Sequence, residues 1–452
     1  MRPGHTVAAL LAAIVLGTAA GPAGAVDPPQ VIVGQAPGDE PPGPELPTKQ
    51  DKGCLAAGVL RDSDLTQVPP AEQMLNLRQA RALSRGGGVT VAVIDTGVHP
   101  NPRLPNLVGG GDFVTAGGDG LSDCDAHGTL VAGIIGAASD VADGFTGVAP
   151  DARIISIRHR SGAFSLERPI SSDQAQQLAL EIRTLSRAIL RAASLGAGII
   201  TVSLPVCMAV DAQVDQSMLS AAIGYAVHVK GALIVAGAGN TGSNGCDQNP
   251  DIDPGRPTDK RNWSKVKTIS TPGWFGPEVL TVGFTTATGV PMADSLTGPW
   301  VSVAAPGTGI ESLGPGGGGL INGVGDPNKL VPVGGASFAA AYVSGVAALL
   351  RSRFPNETAS EIAARLQASA HAPARGIDNA VGAGVIDPLA ALSYRTPPEP
   401  PAGLFRSAPL VMPDPPRPAD RRPAVAATIV IVATVLLGLG TSIGTAVVRR
   451  RR

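Results

Sequence analysis

Three residues in this chain of 452 have the types needed for nucleophilic acyl chemistry: Asp95, His127 and Ser337. A serine hydroxyl is a weak nucleophile until an imidazole takes its proton, and the imidazole needs a carboxylate to fix its tautomer and stabilise its cation. The chain order Asp, His, Ser is one of the known orders of such a triad. Each residue also has a plainer use. Ser337 stands where an apolar helical pattern begins, a common place for an N-capping serine. Asp95 could be a turn or cap residue and His127 a structural residue at a helix start. Asp123 and Asp125 lie closer to His127 in sequence and read as loop acids beside Cys124. His99 is the rival base, directly before Pro100, whereas His5, His159, His228 and His371 lack supporting context.

The elements that must position these residues follow from hydrophobic patterning. VTVAVID, from Val89 to Asp95, is a β-branched run of the kind that forms a buried parallel strand. HGTLVAGIIGAA opens a helix at His127, and Arg153 to Ile157 gives a strand after the turn Gly147–Pro150. A long helix is expected over 171–195, strands over 198–203 and 231–236, and a helix over about 211–229 between them. Val279 to Phe284 and Trp300 to Ala304 add strands, and a short helix is expected over 74–83. In GGASFAAAYVSGVAALLRSRF, from Gly334 to Phe354, a glycine pair and a small residue lead into Ser337, which opens a helix that can be buried almost all round, and another runs from about Asn356 to Ser369. Alternating strands and helices predict an α/β fold, a mainly parallel sheet with helices on both faces. Sites in such folds form where strand C-termini meet helix N-termini, and Asp95, His127 and Ser337 all sit at such ends.

The local sequences sharpen this reading. IDTGV at Asp95, HGTLVAGIIG at His127, GVAPDARIISIR from Gly147 and GASFAAAYVSGVAALL at Ser337 together resemble the subtilisin-like serine proteases, over roughly Gly88 to Leu392. The resemblance implies a subtilisin-like fold, a polypeptide substrate and an acyl-enzyme mechanism with Asp95, His127 and Ser337 as the catalytic groups. It implies that Asn240, in VAGAGN, donates to the oxyanion, although an asparagine between such residues can also serve a left-handed turn. It further implies that Ser203, Leu204 and Pro205, with Gly237, Ala238 and Gly239, flank an extended substrate. The chain departs from the family pattern at Ala336, where Thr is usual, and at Ala341, where Pro is common. There is also no room before Asp95 for a conventional folded inhibitory prodomain. No cofactor is implied, and no acidic loop has clear calcium-ligand spacing. An α/β-hydrolase esterase would want Gly-x-Ser-x-Gly and the order Ser, Asp, His, and neither is present.

Composition sets the compartment. A net charge of −1 argues against a nucleic-acid binder. Residues 1–25 read as a secretory signal: Arg2 and His5, then VAALLAAIVL, then Ala23-Gly24-Ala25. Residues 26–85 form an N-terminal extension, Pro- and Gly-rich up to 50; 86–395 form the peptidase domain and 396–423 a Pro-rich linker. Residues 424–448 are apolar and long enough for a single C-terminal transmembrane helix, and 449–452 are a basic cytoplasmic tail. The bulk of the chain is then extracytoplasmic, on the periplasmic side of the cell membrane. Gly440 and Gly444 could support close helix pairing or simply face lipid.

Four cysteines in an exported chain point to disulfides. Cys207 and Cys246 leave the C-terminal ends of consecutive strands and should meet, which pairs Cys54 with Cys124. This layout is similar to the mycosins, membrane-anchored proteases of type VII secretion systems. That resemblance implies association with the secretion membrane complex and an extension that wraps the catalytic domain. A structural role in capping or stabilising the complex, with proteolysis secondary, is the competing reading.

Overall fold

Alternation along the first buried strand decides the layers. In β1 (Thr90–Asp95), Val91 and Val93 enter one apolar cluster while Ala92 and Ile94 enter another. Side chains on a strand alternate between faces, so each cluster is one face of the sheet. In this computed structural model residues 26, 28–34, 38–170, 173–242, 245–317, 319–393 and 427–438 are described. The expected signal segment, linker and basic tail, with Gly440 and Gly444, lie outside them. The sheet continues with β2 (Leu107–Asp112), β3 (Arg153–Arg158), β4 (Ile199–Val202), β5 (Leu233–Gly237), β6 (Val279–Thr285) and β7 (Val301–Pro306). These seven strands run in the spatial order β7-β6-β5-β4-β1-β3-β2, and every neighbouring pair is parallel. The order turns back on itself beside β1, the kind of switch point where α/β sheets place their sites.

Helices cover both faces. α1 (His127–Gly136) and α4 (Ala336–Arg353) pack on the Val91 and Val93 face, with α5 (Ala359–Ala368). α2 (Gln174–Ser194) and α3 (Ser217–Gly224) cover the other face through Ile182, Leu185, Ile189, Leu219 and Ile223. α4 is buried on every side from Ala336 to Leu350, the burial expected of a helix without a polar face. Each large side chain it buries, such as Val343, Val346 or Leu349, contributes roughly 1.5–3 kcal/mol.

Four features differ from the sequence-based expectation, the first being that the helix expected over 74–83 is two short helices, Pro70–Met74 and Leu77–Leu83. The helix expected over 211–229 is shorter, Ser217–Gly224, and continues as a π-turn, Tyr225–Val229. β2 was not anticipated, because LVGGGD lacks the β-branched run that marks the other strands. Small antiparallel sheets add to the periphery, including Val206–Ala209 with Thr268–Thr271.

The segment before Gly86 lies against the main sheet's surroundings at several places. Thr48–Gln50 pairs antiparallel with Phe164–Leu166, and Ala56–Gly58 adds to the hairpin Gly323–Asp326 and Lys329–Pro332. Two short helices, Pro70–Met74 and Leu77–Leu83, bury Ala71, Leu77 and Ala80 in the core beneath α4. On α2, Arg183, Arg187 and Arg191 recur every four residues and so share one helix face. They meet Glu45 and Asp39 of the extension, while Arg187 also donates to the carbonyls of Pro41 and Gly43. Disulfides join Cys54 to Cys124 and Cys207 to Cys246.

The chain divides between Tyr394 and Arg395 into two units. The described part of the second is a helix over 427–438. Among the described residues no helix is long and apolar enough to cross a membrane.

Candidate active site

Asp95 is the last residue of β1, and its side chain is fully buried. Its Oδ1 accepts from the N–H of Thr96 at 2.6 Å and faces His127 Nδ1 at 2.7 Å. His127 is the first residue of α1, held over the end of β1 by a close helix approach. A Cβ on the next residue, Gly128, would sit 1.9 Å from the Gly97 carbonyl and 3.1 Å from Asp95 Cβ. Only glycine allows this contact.

On the far side of the imidazole, His127 Nε2 lies 2.9 Å from Ser337 Oγ. With Asp95 ionised, Nδ1 carries the proton it donates to the carboxylate. Nε2 is then the acceptor for the serine hydroxyl. Phe338 supports the ring from α4, with centroids 5.1 Å apart. Ser337 is not the helix cap. The cap is Gly335, at φ +137°, and Ser337 is the second helical residue, with its hydroxyl turned to His127.

Electrostatics follow from this geometry. Burial alone would raise the Asp95 pKa, but the facing His127 and the Thr96 N–H hold it below the usual carboxylate value. Burial likewise pulls His127 down, yet the charge and hydrogen bond of Asp95 outweigh it and raise the imidazole above its ordinary 6.5. A raised base and a lowered acid in contact form a pair tuned to stabilise an imidazolium as it forms.

Asn240 follows the end of β5 and reaches the same helix start. Its Oδ1 accepts from the Ala336 N–H at 3.0 Å, which leaves the amide nitrogen as the donating end. Gly335 must stay bare for this, because an added Cβ would sit 2.8 Å from Asn240 Nδ2. The Ser337 N–H belongs to the first turn of α4, where backbone donors lack helical partners. A side-chain amide and a helix-start N–H beside one hydroxyl can receive developing negative charge on a carbonyl oxygen.

The remaining expected residues border this point. Ser203 follows β4 directly, beside Asp95 and β5, since Val202 pairs with both Ile94 and Ala236. Leu204 and Pro205 are half-buried. Gly237 approaches α4 so closely that a Cβ would lie 3.1 Å from the Ala336 carbonyl. Gly239 would touch Cys207 Sγ at 3.3 Å, so the Cys207–Cys246 bond backs this segment. A separate concavity of about 520 Å³, lined by Lys230, Glu278 and Arg351, lies where β5 and β6 begin, away from Ser337.

Two residues set aside or passed over by sequence reasoning enter here. Asp123 is buried, not a solvated loop acid, and accepts from Thr96 and Thr129. Thr96 Oγ1 in turn accepts from the Gly128 N–H. No local pattern marks either residue, since their partners are brought together only by the fold.

Comparison with known proteins agrees with this architecture. The sequence model of the Subtilase family matches residues 86–384. Mycosin-3 of Mycobacterium tuberculosis is 47% identical over 447 residues, covering 97% of this chain and 96% of its own. Mycosin-1 of Mycolicibacterium smegmatis is 45% identical over 438 residues, 96% of each chain. A crystal structure of MycP1 from the ESX-1 type VII secretion system superposes with a TM-score of 0.79 at 47% identity, covering 82% of this chain and 97% of that one. A chain of the intact ESX-5 inner membrane complex gives 0.79 at 47% identity, covering 93% and 100%. Family match, parallel sheet and near-full-length identity converge: the chain belongs to the subtilase family of serine endopeptidases, within its mycosin branch.

Proposed function

We propose that the chain hydrolyses peptide bonds of exported proteins through Ser337, His127 and Asp95. It does so from the extracytoplasmic side of a membrane, in association with a type VII secretion complex. The observation that carries the chemistry is the unbroken line Asp95 Oδ1–His127 Nδ1, His127 Nε2–Ser337 Oγ, at 2.7 and 2.9 Å. Ser337 Oγ attacks the scissile carbonyl carbon as its proton passes to His127 Nε2. Asp95 stabilises the imidazolium without taking its proton. The carbonyl oxygen, now an oxyanion, receives bonds from Asn240 Nδ2 and the Ser337 N–H. His127 returns the proton to the leaving amine, the peptide bond breaks, and an acyl-enzyme remains. Water then attacks by the same route and frees the acid. Ser203, Leu204 and Pro205 on one side, and Gly237, Ala238 and Gly239 on the other, would pair an extended peptide as an added strand.

Anchorage and partner rest on sequence and relatives. Residues 1–25 direct export, 26–85 wrap the peptidase domain of 86–395, and 396–423 link it to a span over 424–448 with a cytoplasmic tail at 449–452. Apolar composition supports the span, and helix association through Gly440 and Gly444 is its optional extension. Similarity to a chain of the ESX-5 inner membrane complex supports association with such a complex.

The same similarity favours a second reading, in which the chain mainly stabilises that complex and proteolysis is secondary. Ser337→Ala in the full chain separates the two. The first reading expects peptide hydrolysis to fall by about 10⁶-fold and secretion to fail with it. Secretion that survives Ser337→Ala but is lost on deletion of the whole chain would favour the second.

A further inference from the structure

We propose that Asp123 is a positioning residue of the hydrolytic site, locking the first turn of α1 to the end of β1 through Thr129 and Thr96. The proposal rests on the reading of Asp95, His127 and Ser337 as the hydrolytic groups.

α1 begins without a cap of its own. Ala126 precedes it at φ +62° and offers no side-chain acceptor. The unpaired N–H groups of the first turn are instead met from outside. Asp123 Oδ2 accepts from the Thr129 N–H at 2.8 Å and from Thr129 Oγ1 at 2.6 Å. Asp123 Oδ1 accepts from Thr96 Oγ1 at 2.8 Å and from the Asp125 N–H at 3.1 Å. Thr96 Oγ1 completes the lock by accepting from the Gly128 N–H at 3.0 Å. One buried carboxylate thus ties the residue after Asp95 to the residues after His127, and the distance across that pair decides whether the triad is aligned. Loss of alignment by a fraction of an ångström is enough to slow such a reaction severalfold.

The charge of Asp123 also reaches the base. With His127, three more titratable groups lie around Asp123. Asp95 comes from β1, Asp125 from the same loop, and His127 itself from α1. His159, from the end of β3, is buried and pushed down to about 3, so it stays neutral. Asp95 contributes most to raising His127, and Asp123 and Asp125 add to it. Burial, with the charge of Asp95, lifts Asp123 itself to about 6, against the opposing bonds from Thr129 and Thr96. Asp123 is therefore mostly ionised at neutral pH.

Asp123→Asn in the full chain removes that charge and puts an amide where two donors point. We expect kcat to fall about 10-fold or more with KM little changed, and the acid limb of kcat/KM to move to lower pH. A purely structural residue would not move the limb. Thr96→Val keeps the carboxylate but removes the bridging hydroxyl, so kcat should fall, and Thr96→Ser should restore it. The pair decides the matter if Asp123→Asn does not fold. A folded Asp123→Asn with wild-type kcat and acid limb overturns the proposal, as does Thr96→Val with wild-type kcat. If the wild-type chain hydrolyses nothing, the functional reading fails separately. NMR titration of His127 in ¹³C-histidine-labelled chain then still tests the lock: an unchanged His127 pKa in Asp123→Asn overturns it.

Discussion

At the scale of single residues, the balance of forces on His127 governs pH dependence. In the proposed mechanism the neutral imidazole is the base, and Asp95 raises its pKa above 6.5 despite burial. Hydrolysis is therefore present above the raised value and lost as pH falls through it, so the acid limb of kcat/KM should lie above pH 6.5. A limb below that value would contradict the geometry at 2.7 Å. Asp95→Asn should lower kcat by about 10⁴-fold by leaving the imidazole in the wrong tautomer. For Asn240→Ala the expected fall in kcat is about 100- to 1000-fold, a figure taken over from the oxyanion asparagine of subtilisin and not obtained for this chain. Gly335→Ala should cost activity by the same route, since φ +137° is strained for alanine and the new Cβ would press on Asn240 Nδ2. Steady-state kinetics showing either variant at wild-type kcat would remove Asn240 from the reaction.

At the scale of elements, strands with dense β-branched runs were legible because burial on both faces demands them: VTVAVID, GIITVS and GALIVA all form strands of the parallel sheet. Ser337, His127 and Asp95 were legible because each sits in a motif at an element end. LVGGGD was not, since its edge strand is held by pairing with β3 and not by its own composition. Asp123 was not, because acid beside Cys124 looks solvated until Thr96 and Thr129 close over it. The cap of α4 lies two residues earlier than the Ser337 expected for it, at Gly335. Chain connectivity supports one further expectation. The Cys54–Cys124 bond closes a separation of 70 residues, which in the chain-entropy description contributes roughly 4 kcal/mol. It also anchors the extension one residue from Asp123. Replacing both cysteines by serine should lower the denaturant midpoint of the full chain and reduce kcat. An unchanged midpoint would show that the pairings at Thr48–Gln50 and Ala56–Gly58, with the Arg187 contacts, hold the extension unaided.

At the scale of the whole molecule, the folded unit ends near residue 394 and the expected span begins about thirty residues later. A chain ended after 394 should keep peptide hydrolysis and leave the membrane fraction, whereas the full chain should sediment with membranes. Retention of the truncated chain in membranes would place the anchor elsewhere. The central claim is that Ser337 is a nucleophile activated by His127 and Asp95. A fluorophosphonate probe applied to the full chain in membranes tests it most directly, because the probe bonds covalently to an activated serine and peptide mapping reports which one. The account predicts a single modified serine, Ser337, with labelling abolished in His127→Ala. Absence of label, or label on a different serine, would contradict it.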